Sequence, residues 1–397
     1  MKSALEGIRV LDFSRALAGP YCSWLLARMG AEVIRVERPG GEFDRTMGVP
    51  IGDTVWAFFF FSTACNKKCI TLNLRTDKGM KIAKELAKRS DVILHNSPPG
   101  DAKAVGMEYD IFREVNPGII FAAITGFGQT GPYKNRPALD AVIQAISGAM
   151  SLTGFPDKPP TRPAISYIDY GTGLLTAFGI VLALYHREKT GVGQMIDAAL
   201  MDTALSFIAG SGLISEYKLF EACRLRLGNS SFWTIADCFK AKDAWVFLYI
   251  HFPSAWKGLV KLIGSEELAN NPTFQIDYMR FYNRHLINPI ISEWVAGKTA
   301  AEVVSLMEKI GVPCAPVSTI PDLIDDPQVK VRGMLEEVEY PGIGKLSPPG
   351  MPLKLSETPG KAKERPPLLG EHNEEIYRSI LGFGPEELSQ LQKERVV

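Results

Sequence analysis

Short apolar blocks and longer amphipathic stretches alternate along the first half of the chain. "IRVLDF", "EVIRVE", "CITLNL", "DVILHN" and "IIFAAI" read as strands. Between them, "YCSWLLARMG" reads as a helix ending at Gly30, as do Lys78 to Arg89 and "YDIFREV". Strands that alternate with helices imply right-handed crossovers and a mostly parallel sheet, hence an α/β fold. Further helices are predicted over Ala141–Thr153, Gly171–Glu188 and the apolar segment Ala198–Leu213.

The pattern changes near Gly228. "SSFWTIADCFKAKDAWVFLYI" predicts strands joined by a Lys-Asp turn, and helical patterns follow at Ala255–Ile263, Leu286–Ala296 and Ala300–Ile310. This predicts a large domain over 1–227, a smaller α+β domain over 228–317, and a return segment over 318–397. The return is rich in Pro and Gly around "YPGIGKLSPPGMPLKL", so it is expected to be extended rather than helical. A last helix is expected over Pro385–Arg395.

Composition narrows the function. The chain has 397 residues with 44 Lys+Arg against 44 Asp+Glu, so no basic excess points to nucleic acid or an anionic membrane. The opening "MKSALEGIRVLDFS" lacks the apolar core of a signal peptide. The apolar run Leu174–Tyr185 is too short to cross a bilayer. The cysteines are dispersed, with no CxxC, and the histidines show no metal-ligand spacing. A reduced, cytoplasmic protein without a metal site is expected.

Several motifs then compete. "GFGQTG", Gly126–Gly131, matches a dinucleotide fingerprint, but Pro132 and Pro137 follow where a helix should open, so the glycines predict a loop. "RVERPGGEFDR" offers Arg35, Arg38 and Arg45 beside a Pro-Gly turn, a placement suited to a phosphate as well as to a solvated face. No G-x-S-x-G elbow or P-loop is present. Asp169, between Tyr167-Ile168 and Tyr170, stands at the mouth of an apolar helix. A helix N-cap is one reading of it. The other is a nucleophile, kept anionic by the helix terminus and served by a flexible Gly171/Gly173 turn whose N–H groups approach an oxyanion.

Taken in order, "LEGIRVLDFSRALAGPYCSWLLARMGAEVIRVERPGG", "NKKCITLNLRTDKG", "DVILHN", "GFGQTGPY", "IDYGTGLLTAFGIVLALYHREKTGVGQMIDAALMD", "GVPCAPV" and "LLGEHN" resemble the family III coenzyme A transferases and the related 2-methylacyl-CoA racemases. The resemblance implies a Rossmann-like large domain built from both chain ends, a smaller central domain and an interlocked dimer. It implies that Asp169 forms an acyl anhydride and then an aspartyl-CoA thioester. Coenzyme A contacts carry over onto Ala18, Arg38, Leu72, Arg75 and Asn96, and onto Pro137, Ala138, Leu139 and Asp140 beside the thioester. The resemblance also implies that Lys103 takes the place of a phosphate-binding arginine of the family.

Two departures matter. Leu17 replaces a glutamine of formyl-CoA transferase, which counts against a formyl or oxalyl substrate. Leu139-Asp140 replaces the His-Asp of the racemases and removes one of two opposed bases. The expected function is therefore an acyl-CoA:carboxylate CoA-transferase, with CoA as substrate and no prosthetic group. The alternatives are an α-carbon isomerase of the same superfamily and a subunit of a heteromeric transferase. The expected partners are an acyl-CoA donor, a carboxylic acid acceptor and a second copy or paralogous subunit.

Overall fold

The computed structural model describes residues 3–51 and 54–397, so the first two residues of the opening stretch lie outside the description. The chain divides into two compact units. The larger comprises Met1–Met150, Arg162–Cys223 and Gln328–Val397, and the smaller Ser151–Thr161 with Arg224–Pro327.

The larger unit is built on six parallel strands. From one edge they run Lys67–Thr71, Glu32–Glu37, Arg9–Asp12, Val92–His95, Ile120–Thr125 and Met195–Ala199. Their apolar runs are near-continuous because helices cover both faces of the sheet. One face packs Trp24, Leu25 and Leu26 of helix Ala18–Arg28 with Ile168 and Ile180 of helix Tyr167–Thr190. The other packs Ile82 and Leu86 of helix Asp77–Ala87 with Phe112 and with Ile376 and Tyr377 near the C-terminus. The chain starts in mid-sheet, winds to one edge, then returns to build the other half. The winding direction therefore reverses between Arg9–Asp12 and Val92–His95, and a crevice opens beyond their carboxyl ends.

Several elements differ from the sequence pattern. The helix expected over Ala141–Thr153 spans only Asp140–Ile146 and is followed by a 3-10 turn at Ala149–Leu152. The apolar segment expected as one helix from Ala198 begins as the edge strand Met195–Ala199, and the helix spans Leu200–Gly210. The helix expected from Gly171 begins at Tyr167 and ends at Thr190, where Gly191 adopts φ 74°. At 24 residues it is long and apolar enough, by length and composition, to cross a bilayer. The shorter apolar run had argued otherwise. Part of it is a core helix, buried at Thr172, Gly173, Thr176 and Ala177.

The smaller unit holds an antiparallel sheet ordered Cys314–Pro316, Trp245–Ile250, Ile235–Lys240. Trp256, Leu259, Ile287, Ile291 and Val303 pack against it from three helices. Helix Ala300–Lys309 starts on a capping box, legible as "TAAE": Thr299 accepts from the Glu302 N–H and Glu302 accepts from the Thr299 N–H. In the larger unit, the Pro-rich stretch before residue 373 is mostly irregular. It delivers helix Asn373–Leu381 to the sheet edge, where Tyr377 Oη donates to the Thr71 carbonyl at 2.6 Å.

A buried ion pair under the crevice fixes the first crossover. Lys67 and Asp12 side chains are both 0% exposed and 3.1 Å apart. Lys67 Nζ also donates to the Pro20 carbonyl at 2.9 Å and to Ser23 Oγ at 2.7 Å. Asp12 Oδ1 accepts the Ser14 N–H at 2.9 Å, which turns the chain at the strand end. Removing one partner strands the other charge in the core. Lys67→Ala should destabilise the protein by roughly 3–5 kcal/mol, measured as a lowered midpoint in urea. Lys67→Met with Asp12→Leu should recover part of that loss.

Candidate active site

The crevice holds a cleft of about 200 Å³. Its first wall is the loop after strand Arg9–Asp12, and three polar contacts shape that loop. Asn96, at the end of the neighbouring strand, accepts the Arg15 N–H at 2.9 Å and donates to the Arg15 carbonyl at 2.7 Å. Ala16 takes a left-handed φ of 64°, costly for a residue with a Cβ. Its N–H is held by Asp44 at 2.9 Å. Asp44 is itself gripped by Arg35 at 2.7 and 2.9 Å. The chain then enters helix Ala18–Arg28, whose N-cap position, Leu17, offers no side-chain acceptor. Among the described residues nothing accepts the first-turn N–H groups of Ala18 and Gly19, and Ala18 lines the cleft.

The opposite wall carries Asp169 in the first turn of helix Tyr167–Thr190. The two helices close on each other here: a Cβ on Gly173 would lie 2.5 Å from the Ala18 carbonyl oxygen, so only glycine allows this approach. Asp169 is not the cap expected for its helix. The N-cap position is Ser166, without a side-chain cap bond. The capping acceptor is Asp140, 29 residues earlier in the chain. Its Oδ2 accepts from Ile168 N at 2.9 Å and Asp169 N at 3.1 Å. Tyr167 N donates to the Ile165 carbonyl and Tyr170 N to the Ser166 carbonyl, so the whole first turn is satisfied.

This reverses the expected electrostatics. No N–H group of this first turn is left over to hold Asp169 as an anion. Burial first, and the neighbouring Asp140 charge second, push the Asp169 carboxyl up to about 7. Among the described residues, none donates a hydrogen bond to the Asp169 carboxylate. Gly171 and Gly173 lie beyond the first turn, so they are not the source of free N–H groups either.

The cleft brings together Ala18, Asn96, Ala138, Leu139 and Asp169. Pro137 is exposed beside it, and Asp140 lies buried behind it. Leu72 is buried, its N–H bonded to the Glu37 carbonyl at 2.6 Å. Arg38, Arg75 and Lys103 are exposed and outside the cleft lining. Arg38 Nε donates to the Gly41 carbonyl at 2.7 Å. Arg35 and Arg45 are not free for a phosphate. Arg35 is sealed in its strand against Glu37 and Asp44, and Arg45 pairs with Glu37 at 2.8 Å.

Three cleft cations went unread in the sequence: Arg15, Lys134 and Arg136. Lys134 and Arg136 lie in the proline-bracketed "YKNR", where Arg136 stacks 3.6 Å from the Tyr133 ring centroid. The loop "GFGQTG" opens no helix. The next begins at Asp140, and Gln129 N–H is tied to the Asp197 carboxylate at 3.0 Å. Among the described residues no cluster of three or more His, Cys, Asp or Glu is grouped to hold a metal ion.

Comparisons agree with this geometry. The sequence model of CoA-transferase family III matches residues 5–373. The chain is 36% identical to the succinyl-CoA–L-malate CoA-transferase beta subunit of Chloroflexus aurantiacus, over 99% of this chain and 98% of the relative. It is 36% identical to human succinyl-CoA:glutarate CoA-transferase, over 99% of this chain and 90% of the relative. The formyl-CoA:oxalate CoA-transferase of Streptomyces avermitilis is also 36% identical, with both chains fully covered. The crystal structure of a CAIB/BAIF family protein from Brucella suis superposes with a TM-score of 0.85 at 31% identity, over 96% of this chain and 100% of that one. A parallel sheet wound from its middle, a cleft at its switch point and full-length sequence matches converge on one assignment: the chain belongs to CoA-transferase family III.

Proposed function

We propose that the chain transfers CoA between an acyl-CoA donor and a carboxylic acid acceptor by covalent catalysis at Asp169. The observation that carries this is a half-buried carboxylate on the cleft wall with no hydrogen-bond donor among the described residues. A carboxylate stripped of donors is a stronger nucleophile than a solvated one. Ionised Asp169 attacks the thioester carbonyl, giving a mixed anhydride and the CoA thiolate. The thiolate attacks the aspartyl carbonyl, releasing the donor acid and leaving an aspartyl-CoA thioester. The acceptor carboxylate attacks that thioester, and the returning thiolate takes the acceptor acyl group and frees Asp169.

Each addition develops an oxyanion. The uncapped N-terminus of helix Ala18–Arg28, facing Asp169, supplies the donors, with Ala18 and Gly19 N–H the nearest in sequence to the cleft. Arg15, Lys134 and Arg136 suit a substrate that brings phosphates and a carboxylate. Two of the relatives named above act on succinyl-CoA with malate or glutarate, so dicarboxylic acids are the acceptors to try first. Arg38, Arg75 and Lys103 are proposed to reach the outer phosphates of CoA. Leu174, Phe178, Leu182 and Tyr185 form an exposed apolar strip along helix Tyr167–Thr190, which suits a subunit contact with a second copy or a paralogue.

Asp169→Asn should abolish transfer while the protein folds, since the cap is Asp140 and not the changed residue. It should also be stabilising at high pH. The folded-state carboxyl titrates at about 7 against an ordinary 3.8, so ionisation opposes folding as pH rises through that window. The wild type loses up to about 4 kcal/mol by pH 8 and well under about 1 kcal/mol at pH 4. Thermal unfolding at pH 4 and pH 8 should show the variant's advantage only at the higher value. A folded variant that retains transfer refutes the assignment.

The rate of the acylation step should rise with pH through about 7 and level off above it, because only the ionised carboxyl attacks. Stopped-flow release of CoA thiol across pH 5–9 reads this directly.

Leu139, on the cleft lining, cannot move a proton. Turnover in deuterated water should leave the α-carbon of a 2-methylacyl-CoA unlabelled. Rapid deuterium entry would favour the isomerase.

A further inference from the structure

We propose that Asp140 is a positioning residue for the nucleophile: it closes the N-terminus of helix Tyr167–Thr190, and so fixes Asp169 on the cleft wall while denying it any amide donor. The proposal rests on the reading of Asp169 as nucleophile. The resemblance had assigned Asp140 to CoA contact, but the side chain is 4% exposed and faces the protein. One oxygen takes the Ile168 and Asp169 N–H groups at 2.9 and 3.1 Å. The other accepts from Gln144 Nε2, one turn along its own helix. Gln144 is fully buried, so this support is rigid.

The arrangement has a chemical consequence. The first turn of a helix normally offers N–H groups to a carboxylate placed there, and such bonds lower its basicity. Asp140 occupies those N–H groups from outside the helix. Asp169 thus keeps the geometry of a helix terminus without its stabilisation. It also faces a second negative charge across the first turn. The other titratable groups around it are few. Tyr170 is its neighbour in sequence, and Tyr21 of helix Ala18–Arg28 packs edge-on to Tyr170 at 4.8 Å. Tyr167 lies near Asp140, and the cations Arg15, Lys134 and Arg136 stand on the cleft loops. None of these takes the place of Asp140 on the two amides.

The test compares Asp140→Asn and Asp140→Ala in single turnover with an acyl-CoA, following CoA release from pH 5 to 9. Covalent label is mapped by peptide mass spectrometry. Asparagine keeps an acceptor for the two amides. Its new NH₂ group can be met by Gln144 Oε1, which is buried and without a partner, after a flip of the Gln144 amide. Asp140→Asn should therefore unfold near the wild-type temperature, and its acylation profile should move to lower pH by on the order of one unit. Asp140→Ala also frees the two amides for Asp169 itself. Its profile should move at least as far, and its plateau rate should fall roughly ten- to a hundredfold as the nucleophile loses its fixed position. Profiles of both variants that superpose on the wild type, with label on Asp169, would overturn this role alone. Wild-type label on any other residue would overturn the nucleophile assignment and this role with it.

Discussion

The hold of one buried carboxylate on the start of another helix organises the cleft wall that carries Asp169. Asp140 takes the N–H groups of Ile168 and Asp169, and with them the usual source of stabilisation for an acid at that position. The first amides of a helix have no partner inside it, and whichever group takes them sets the local electrostatics. Had Asp169 itself taken those amides, it would have been a stabilised and less basic anion. A cap from a separate helix divides the labour, so that one acid is buried and bonded and the other is bare and faces the cleft. The upward shift of Asp169 follows from burial first and from the Asp140 charge second, and so does the stability it costs.

The facing wall depends on a second set of buried charges. Lys67 and Asp12 turn the chain out of its strand, Asn96 pins the Arg15 backbone, and Asp44 holds Ala16 in a left-handed conformation. These groups shape the loop that leads into helix Ala18–Arg28. Their combined effect is to hold the start of helix Ala18–Arg28 on the cleft that Asp169 also lines, with Gly173 allowing the two helices to approach at the Ala18 carbonyl. The sheet explains why both walls meet here. The winding direction reverses between the strands that carry Asp12 and His95, and the loops that follow part to leave a crevice.

Much of this was legible in the chain. Continuous apolar runs such as "VILH" marked buried parallel strands, and Asp169 stood out as an acid before an apolar helix. Strand Met195–Ala199 was hidden because its five residues include a polar Asp197 and run without a break into an apolar helix. The true cap was hidden because it comes from 29 residues away, where no local offset such as S-x-x-E can signal it. Arg35 and Arg45 looked available for a phosphate because sequence shows charge but not burial. Their partners Glu37 and Asp44 sit close by in the same segment, yet only the fold decides that the four charges face inward together. Lys134 and Arg136 were passed over because prolines marked their loop as a break in structure, and nothing local shows which cleft a loop lines.

The central claim is that catalysis passes through a covalent bond at Asp169. Intact-protein mass spectrometry of the wild-type enzyme, quenched in acid shortly after mixing with a donor acyl-CoA, tests it most directly. The account predicts a population heavier by CoA less water, discharged by hydroxylamine, with the hydroxamate found on the peptide that contains Asp169. Full transfer with no such species, or the same adduct on a peptide that lacks Asp169, would contradict it.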